Sequence, residues 1–363
     1  MDAIMTLDEA AEFQLDMFDK TAGYGAAPND LVRFDCPEVN LSSYDRIIVC
    51  MSGGKDSIAC LLRLFDMGAD RSKIELWHHD VDGREGSTLM DWSFMADYVR
   101  KIGLTFNLPV YFSWLEGGFE GEMLKQDDYS RPHHIETPDG LLVLSRDTNR
   151  MKRATRMKFP QMAADLRTRW CSSALKIDVG RRALTAQERF NNQRILFITG
   201  ERRQESANRA RYNQLEPHAC DRRDGRSQRH IDAWRPVLHW TEEMVWDAFR
   251  RHSVLAPVPY RLGWGRSSCQ TCIFNDAIIW ATINHYFPAK ATAIANYEIQ
   301  FGVSISRSGK NVLELAAMAQ PMEITDMEAL EQAGKTEYTL PVLCSGEWTM
   351  PIGAMKGTAC GAP

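Results

Sequence analysis

The segment SGGKDS, at residues 52–57, concentrates charged and hydroxyl side chains between two apolar stretches. The apolar residues before it are typical of a buried strand, and those after it have helical spacing. A turn from a strand into a helix collects free backbone N–H groups and the positive end of the helix dipole at one point. Glycines allow a ligand to approach this backbone closely, and a lysine adds a positive charge. The segment therefore predicts an anion site that is built from Ser52, Gly53, Gly54, Lys55, Asp56 and Ser57.

This anion site is not a Walker A loop, because Asp56 follows Lys55 where that motif has Ser or Thr. A plain structural turn would explain the two glycines. It would not explain six polar or flexible residues at one helix start. The composition of the turn therefore favours a polyphosphate ligand.

Segments with strand character alternate with helical ones in the first two thirds of the chain. The strand-like segments are residues 46–51, 73–80, 108–114 and 194–200. This alternation predicts a Rossmann-like α/β fold, in which helices cover both faces of an open parallel sheet. Asp80 and the sequence GERRQES, at residues 200–206, each follow one of these strands. We therefore expect both at the carboxyl edge of the sheet, together with SGGKDS.

Changes in periodicity divide the chain into four parts. The predicted parts are an acidic helix and linker at residues 1–45, an α/β domain at 46–235, a helical segment with a Cys-x-x-Cys sequence at 236–320, and a tail at 321–363. Within the α/β domain, residues 116–145 lose periodicity and are expected to form a long loop insertion. Gly68 and Gly103 are predicted to end the first two helices of that domain.

Positive charge is concentrated in one part of the chain. From Arg146 to Arg229 there are 21 Lys or Arg and 9 Asp or Glu, an excess of 12 positive charges in a protein with a formal net charge of −5. Arginine dominates the segment, and arginine suits bidentate contact with phosphate. We therefore expect this basic segment to contact phosphates, with a solvated helical surface as the alternative.

The sequence also bears on the compartment. Its start has no basic region followed by an apolar core, and no apolar run approaches the roughly 20 residues that span a bilayer. We expect a cytoplasmic protein without a membrane partner, in which the nine cysteines stay reduced. Cysteines in that setting favour metal, cluster or sulfur chemistry over a disulfide framework.

The segment SGGKDS after a first strand resembles the PP-loop of the ATP pyrophosphatase superfamily. Further segments occur in an order that resembles the phosphoadenosine phosphosulfate (PAPS) reductase-like branch of that superfamily, and the resemblance covers about residues 46–275. These segments are HHDVDG, RWCSSALKID, GERRQESANRAR and RPVLHWTEEMVWDAF, followed by YRLGWGRSSCQTC. The resemblance implies an adenine nucleotide alpha hydrolase-like fold that binds ATP with Mg²⁺ and splits it between the α and β phosphates.

The resemblance also assigns residues. PAPS reductases typically lose the lysine and aspartate of the loop, so their retention here favours ATP cleavage over sulfate reduction. The reductases' Glu-Cys-Gly-(Leu/Ile)-His segment has only Cys360-Gly361 in common with this chain. The predicted catalytic residues are Lys55, Asp56, Arg202 and Arg203. Besides the loop, the predicted nucleotide-binding residues are Asp80, Gly200, Glu201 and Arg209.

The cysteines allow several interpretations. Iron–sulfur members of this branch pair a Cys-Cys dipeptide with a later Cys-x-x-Cys, but Trp170 occupies one of those positions here. Three predicted ligands then remain, Cys171, Cys269 and Cys272, and Cys220 is the tentative fourth. An iron–sulfur cluster, a zinc ion, and free or sulfur-carrying thiols all stay open.

The resemblance and the basic segment together predict an ATP pyrophosphatase that adenylates an acceptor oxygen for sulfur transfer. Members of the branch with an intact loop include the ATPase components of DNA phosphorothioation systems, so DNA is the favoured acceptor and a cysteine desulfurase the expected sulfur donor. Three alternatives stay open. They are a PAPS reductase or sulfate adenylyltransferase-type enzyme, a tRNA thiolase, and a non-catalytic nucleotide-binding module.

Overall fold

The protein is an α/β structure built around one eight-stranded sheet. The computed structural model describes residues 31–163, 165–226 and 228–356. The predicted N-terminal helix, up to residue 30, and Cys360 lie outside these residues. The strands are β1 (Arg46–Cys50), β2 (Ile74–His79), β3 (Val110–Leu115), β4 (His133–Thr137), β5 (Gly140–Leu144), β6 (Arg194–Ile198), β7 (Leu215–Pro217) and β8 (His230–Trp234).

The strand order is β5-β4-β3-β2-β1-β6-β8-β7. The five central strands, from β3 to β8, are parallel to one another, and β4, β5 and β7 add antiparallel edges. The chain builds outward from β1 to β3, and then crosses to the other side of β1 to form β6. This reversal next to β1 creates a crevice at the carboxyl ends of β1 and β6, which is where open α/β sheets bind ligands.

Helices follow the parallel strands and continue beyond the sheet. They are α1 (Lys55–Asp66), α2 (Met95–Phe106), α3 (Gly118–Met123), α4 (Trp170–Ser172, a π-helical turn at Ser173–Ile177, and Asp178–Ala186), α5 (Ala207–Ala210), α6 (Glu242–Arg251), α7 (Val258–Arg261), α8 (Ala277–Tyr286), α9 (Pro288–Phe301), α10 (Val312–Ala316) and α11 (Met327–Ala333). Thr241 caps the N-terminus of α6, because its side chain accepts a hydrogen bond from Met244 N.

The two faces of the sheet carry separate apolar layers. Ile47 and Val49 of β1 pack into the larger core with α1 and α2, whereas Ile48 packs on the other face with Ala183 and Leu184 of α4. Successive residues of a strand point to opposite faces, so the apolar run in β1 supplies both layers. The Rossmann-like α/β fold expected from the sequence is therefore confirmed, with helices on both faces and additional helices after the sheet.

The prediction of a long loop at residues 116–145 is wrong. It contains helix α3 and a hairpin of β4 and β5, and that hairpin extends the sheet next to β3. Alternation in this hairpin is incomplete, because β5 is largely exposed on both sides. An edge hairpin that buries little apolar surface therefore carries little of the periodicity that predicts strands.

One of the two predicted helix ends is also wrong. Gly68 has a φ of +70° directly after α1, as expected for a residue that stops a helix. Helix α2, however, continues through Gly103 to Phe106 and ends at Asn107, whose φ is +54°. The absence of a side chain at Gly103 instead allows close packing against Val110 of β3.

Among the described residues, no helix is both long and apolar enough to cross a membrane.

We predict that Gly103→Ala destabilises the fold. The added Cβ would collide with the side chain of Val110 and lie 2.9 Å from Leu108 O, and forced overpacking of this kind costs about 1–3 kcal/mol. Gly334→Ala is the matched control, because its φ is −87° and its new Cβ would find its nearest neighbour at 3.6 Å. Urea unfolding should show a lower midpoint for Gly103→Ala only. Equal midpoints for both variants would contradict this packing role.

Candidate functional site

The turn between β1 and α1 forms the anion-binding loop at residues 52–57. Gly53 has a φ of +76°, and any side chain there would collide with Met95 of α2. Ser57 Oγ lies 3.2 Å from Ser52 Oγ and donates a hydrogen bond of 2.9 Å to Gly54 O. The loop is thus tightly closed on itself at the N-terminus of a 12-residue helix, a position that favours anions.

Lys55 is held inside the protein by three neighbouring groups. The side chain is 1% exposed, and its Nζ lies 3.5 Å from Asp56 and 3.9 Å from Glu242. The same nitrogen lies 5.2 Å from the centre of the Tyr260 ring. Burial by itself lowers the pKa of Lys55, but its electrostatic interactions with Tyr260, Asp56 and Glu242 outweigh burial and raise the pKa. Lys55 therefore remains a fixed positive charge beside the loop.

Asp56 links the loop to the segment that follows β6. Arg202 Nε donates to Asp56 Oδ1 over 2.5 Å, and the Arg202 side chain is only 2% exposed. Arg202 also donates to Gln204 Oε1, and the same oxygen accepts from Glu242 N at 3.0 Å. One buried network thus joins the ends of β1 and β6 to the start of α6.

Gly200 explains why the two strand ends can approach so closely. A Cβ at this position would lie 2.8 Å from the carbonyl group of Asp56 and 2.9 Å from Ser57 N. Only glycine therefore allows the backbone after β6 to lie against the first turn of α1. The structure places Gly200 beside the loop, as predicted, through backbone packing.

Two further predicted residues lie on the same edge in ion pairs. Glu201 Oε2 is 3.5 Å from Arg235 Nε, and Arg209 Nη1 is 2.6 Å from Glu205 Oε1. Burial works to lower the pKa of Arg209, but Glu205 and Glu201 raise it overall. Both predicted residues are therefore already paired within the protein, and their contacts with a nucleotide remain predictions.

Arg203 does not reach the loop. Its guanidinium donates to the carbonyl oxygens of Phe34 and Tyr212, each at 2.8 Å, and stacks 3.9 Å from the centre of the Phe34 ring. These contacts fasten residues near the beginning of the described chain to the sheet. Arg202 has extended backbone, whereas Arg203 begins a 3-10 helical turn at Arg203–Glu205, and the two side chains leave this change of backbone direction toward different neighbours. The predicted catalytic role of Arg203 is therefore corrected to a structural one.

Buried carboxylates follow β2, next to the loop. Burial raises the pKa of Asp80 to about 6, although the nearby Arg84 lowers it. Burial likewise raises the pKa of Asp82 to about 7, even though Asp82 accepts hydrogen bonds from the backbone N–H groups of Met90 and Asp91. Asp80 was predicted from its place after β2. Asp82 was missed, although it lies in the same HHDVDG segment.

The Cys-x-x-Cys loop closes over this edge. Ser267 adjoins the anion-binding loop, because a Cβ on Gly54 would lie 3.6 Å from Ser267 Cβ. Trp92 Nε1 donates to Ser268 O at 3.0 Å, and Thr271 Oγ1 donates to Leu89 O at 2.8 Å. These bonds fix the loop to the segment between β2 and α2, so its cysteines border the cleft.

Three of the four predicted metal ligands share this cleft. Burial works to lower the pKa of Lys176. Its electrostatic interactions with Cys269, Cys171 and Cys272 outweigh burial and raise the pKa overall, which places the three cysteines near this lysine. Arg266 Nη2 lies 3.2 Å from Cys272 Sγ. Burial raises the pKa of the Cys171 and Cys269 thiols, although the charge of Lys176 works to lower both, so these two thiols are held mainly in the protonated form.

The cysteines do not fit a metal or cluster site as they stand. In the described parts of the chain, no three His, Cys, Asp or Glu side chains are arranged to hold one metal ion. The tentative prediction of Cys220 as a fourth ligand is wrong, because Cys220 packs with Ile48 on the α4 face of the sheet. The other three cysteines pack against the core on the opposite face. Sequence spacing could not reveal this separation.

Glu242 and Tyr260 were missed as members of the site. In the sequence, Glu242 is one of two acids in the first turn of α6, where acids commonly favour the helix dipole. In the structure it contacts Lys55 and accepts a hydrogen bond from Trp246 Nε1. Its partner is 187 positions away in the sequence, so no local signal could have identified the pair.

An open parallel sheet with a glycine-rich anion turn after a central strand defines a nucleotide-binding α/β protein. Residues 141–273 match the family model described as the phosphoadenosine phosphosulfate reductase domain. This domain is a member of the PP-loop ATP pyrophosphatase superfamily, so the match agrees with the resemblance to the PAPS reductase-like branch that the sequence motifs predicted.

Individual relatives are more distant. A protein of Escherichia phage 186, described as an uncharacterized 37.8 kDa protein in gpa 5'region, is 29% identical over 278 residues, which are 73% of this chain and 77% of that protein. Candida glabrata FMN adenylyltransferase with FAD and inorganic pyrophosphate has a TM-score of 0.36 at 12% identity, over 96% of this chain and 100% of that one. Its complex with ATP has a TM-score of 0.32 at 12% identity, over 90% and 89%. TM-scores at this level do not establish a common fold.

We predict that Asp82 makes the stability of the protein depend on pH. Its pKa is about 7 in the folded protein and 3.8 in a model peptide, so the folded state binds more protons between these values. Stability should therefore fall as the pH rises from about 4 to 7, with up to about 1.4 kcal/mol per pH unit from this group. Asp82→Asn should reduce that slope in urea unfolding measured across this range. An unchanged slope would show that Asp82 is not the responsible carboxyl.

Proposed function

We propose that this protein is an ATP pyrophosphatase that adenylates an acceptor oxygen for sulfur transfer. The observation that carries the proposal is the fixed charge network at the PP-loop, in which Asp56 lies between Lys55 and Arg202. A loop that kept only its glycines would bind an already activated nucleotide. A loop that also positions two cations is suited to ATP whose α–β bond is broken.

The described residues support defined roles in this reaction. The loop backbone and the hydroxyls of Ser52 and Ser57 would bind the β and γ phosphates at the start of α1. Lys55 and Arg202 are buried cations that need no reorganisation, so they would stabilise negative charge as it develops on the departing pyrophosphate. The acceptor oxygen would attack the α phosphorus, and the bond to the β phosphate would break.

Asp80 is the residue of this cleft that best fits Mg²⁺. Its carboxylate offers the hard oxygen ligand that Mg²⁺ prefers, and a pKa of about 6 leaves it mostly ionised at neutral pH. When bound, Mg²⁺ would neutralise charge on the phosphates. The side chain of Asp80 is 14% exposed, so it would hold Mg²⁺ at the edge of the cleft. Arg84, whose Nε lies 3.7 Å from Asp80 Oδ2, keeps the carboxylate in place.

The second half-reaction would transfer sulfur. A persulfide from a cysteine desulfurase, or from a cysteine of this chain, would attack the adenylated centre, and AMP would leave with the oxygen. A second thiol would then attack the persulfide bond, which releases the sulfur-bearing product and leaves a disulfide for a thiol reductant to reopen. The position of Cys269 and Cys272 at the mouth of the cleft supports a role for them in this step.

DNA is the acceptor that we favour, and this choice rests on the charge of the basic segment and on the resemblance. Exposed arginines of this segment include Arg150 and Arg153, with side chains that are 88% and 55% exposed. Each pairs at the surface with a neighbouring aspartate, and such pairs contribute little and exchange readily. Arginines of this kind are suited to bind a phosphate backbone through the release of counterions.

A comparison of acceptors would test the sulfur-transfer proposal. Purified protein would be incubated with ATP, Mg²⁺ and a cysteine desulfurase with cysteine, and with DNA, tRNA or sulfate in separate reactions. We expect phosphorothioate-linked dinucleotides from the DNA reaction, detected by mass spectrometry after nuclease digestion. Thionucleosides from tRNA alone, or adenylyl sulfate from sulfate alone, would assign the protein to one of the alternative enzymes.

We predict that Lys55→Met lowers the rate of pyrophosphate release from labelled ATP by roughly 100-fold or more, because it removes a fixed transition-state charge. Lys335→Ala is the control, since Lys335 is exposed and pairs only locally with Glu331. Thermal unfolding of both variants would establish that they are folded. If Lys55→Met is destabilised because Asp56 and Glu242 lose their partner, Lys55→Arg serves as a second variant that retains the positive charge. Undiminished release from Lys55→Met would contradict a catalytic loop.

A further inference from the structure

A second cavity lies away from the PP-loop, between helix α4 and the segment that follows β7. Its volume is about 340 Å³, which lies in the range of small-molecule sites. Its walls include Asp178, Arg181, Arg182, Thr185, Cys220 and Arg222. Cys220 was predicted only as a tentative fourth metal ligand, and the three arginines belong to the basic segment.

The cavity and the PP-loop are on different sides of the sheet. Cys220 packs with Ile48 in the apolar layer under α4, whereas the PP-loop leads into α1 on the other face. They also lie toward opposite ends of the strands. Backbone bonds join Arg222 to Arg229, just before β8 begins, so this wall lies at the amino end of a parallel strand. A ligand in the cavity would therefore not occupy the ATP site.

Positive charge dominates the walls of the cavity. Arg181, Arg182 and Arg222 line it, and among the described residues that line it Asp178 is the single acid. Arg146 stands close by, and its pKa is lowered, first by burial and then by the charge of Arg182. A guanidinium whose charge is disfavoured by a neighbouring guanidinium indicates a local excess of positive charge. An anion would relieve that excess.

Hydrogen bonds and an ion pair within the protein hold the walls of the cavity in place. Arg229 Nη1 donates to Leu184 O at 3.1 Å and to Thr185 O at 3.2 Å, which ties the segment before β8 to the end of α4. Asp221 accepts a hydrogen bond of 2.7 Å from Ile231 N and pairs with Arg223 at 2.7 Å. A cavity with preformed walls binds its ligand with a smaller loss of conformational entropy.

Cys220 provides a chemical reporter for this cavity. It is 5% exposed and lines the cavity with its side chain. Burial raises the pKa of the Cys220 thiol, although the charge of Arg181 and a hydrogen bond from it lower the pKa. The thiol is therefore mostly protonated at neutral pH, leaves the positive charge of the cavity intact, and should react slowly with an alkylating agent from within it.

We propose that this cavity is a second anion site, which binds a tetrahedral phosphate group independently of ATP at the PP-loop. Guanidinium groups present paired N–H donors that match the oxygens of phosphate, and the site supplies three of them. The phosphate belongs either to a free inorganic ion or to the backbone of a nucleic acid. The inference does not rest on the proposed function, because no PP-loop residue lines the cavity.

Protection of Cys220 from iodoacetamide tests this site. Alkylation of the Cys220 peptide would be followed by mass spectrometry, without ligand, with inorganic phosphate, and with a short oligothymidylate that carries no terminal phosphate. We expect at least one of the two probes to slow alkylation several-fold, and to do so in the presence of saturating ATP. Protection by phosphate indicates a free ion, and protection by the oligonucleotide alone indicates a nucleic acid backbone. Failure of both probes would overturn the proposal.

Paired variants make the assignment specific. Arg181→Gln combined with Arg182→Gln should weaken binding of the protective probe by about 10-fold or more, because two charge-assisted contacts are lost. Arg250→Gln, an exposed arginine outside both the cavity and the basic segment, should bind as the wild type does. Lys55→Met should also retain protection, which separates this site from the PP-loop. Equal binding by the double variant and the wild type would refute the cavity as the site.

Discussion

The contact between Asp56 and its two cationic neighbours is the constraint on which the site depends. Lys55 and Arg202 are both nearly inaccessible to solvent, and a buried charge that loses its partner is strongly destabilising. Asp56 therefore needs both strand ends in place, which the missing side chain of Gly200 permits. Glu242 completes the charge balance from α6, so a helix far along the sequence also becomes part of the nucleotide site.

Much of the fold was predictable because its signals are local. A run such as the one in β1 must bury both of its faces, and that requires helices on both sides of a parallel sheet. The loop at residues 52–57 was predictable for the same reason, since its residue types and its place before a helix are adjacent in the sequence. The hairpin of β4 and β5 was not, because an exposed edge needs no apolar alternation.

The rest of the site depends on long-range geometry. Arg202 and Arg203 are indistinguishable by residue type, and only the backbone geometry at the start of the 3-10 turn decides which one meets Asp56. Cys220 has the right chemistry for a ligand but lies across the sheet from Cys269. Glu242 was visible as a helix-start acid, yet its partner is supplied by the fold. Pairings of this kind follow from packing, which a linear pattern does not encode.

The π-helical turn at Ser173–Ile177 has a consequence for both regions of α4. Such a turn inserts one extra residue, which turns all later side chains by about 100° around the helix axis. Lys176, within the turn, faces the cysteines of the cleft, whereas Arg181 and Arg182 come after it and face the second cavity. One helix therefore presents side chains to two different sites, the cleft with the cysteines and the second cavity. Deletion of a single residue from this turn would therefore rotate one of these two sets of side chains around the helix axis and leave the other set in place.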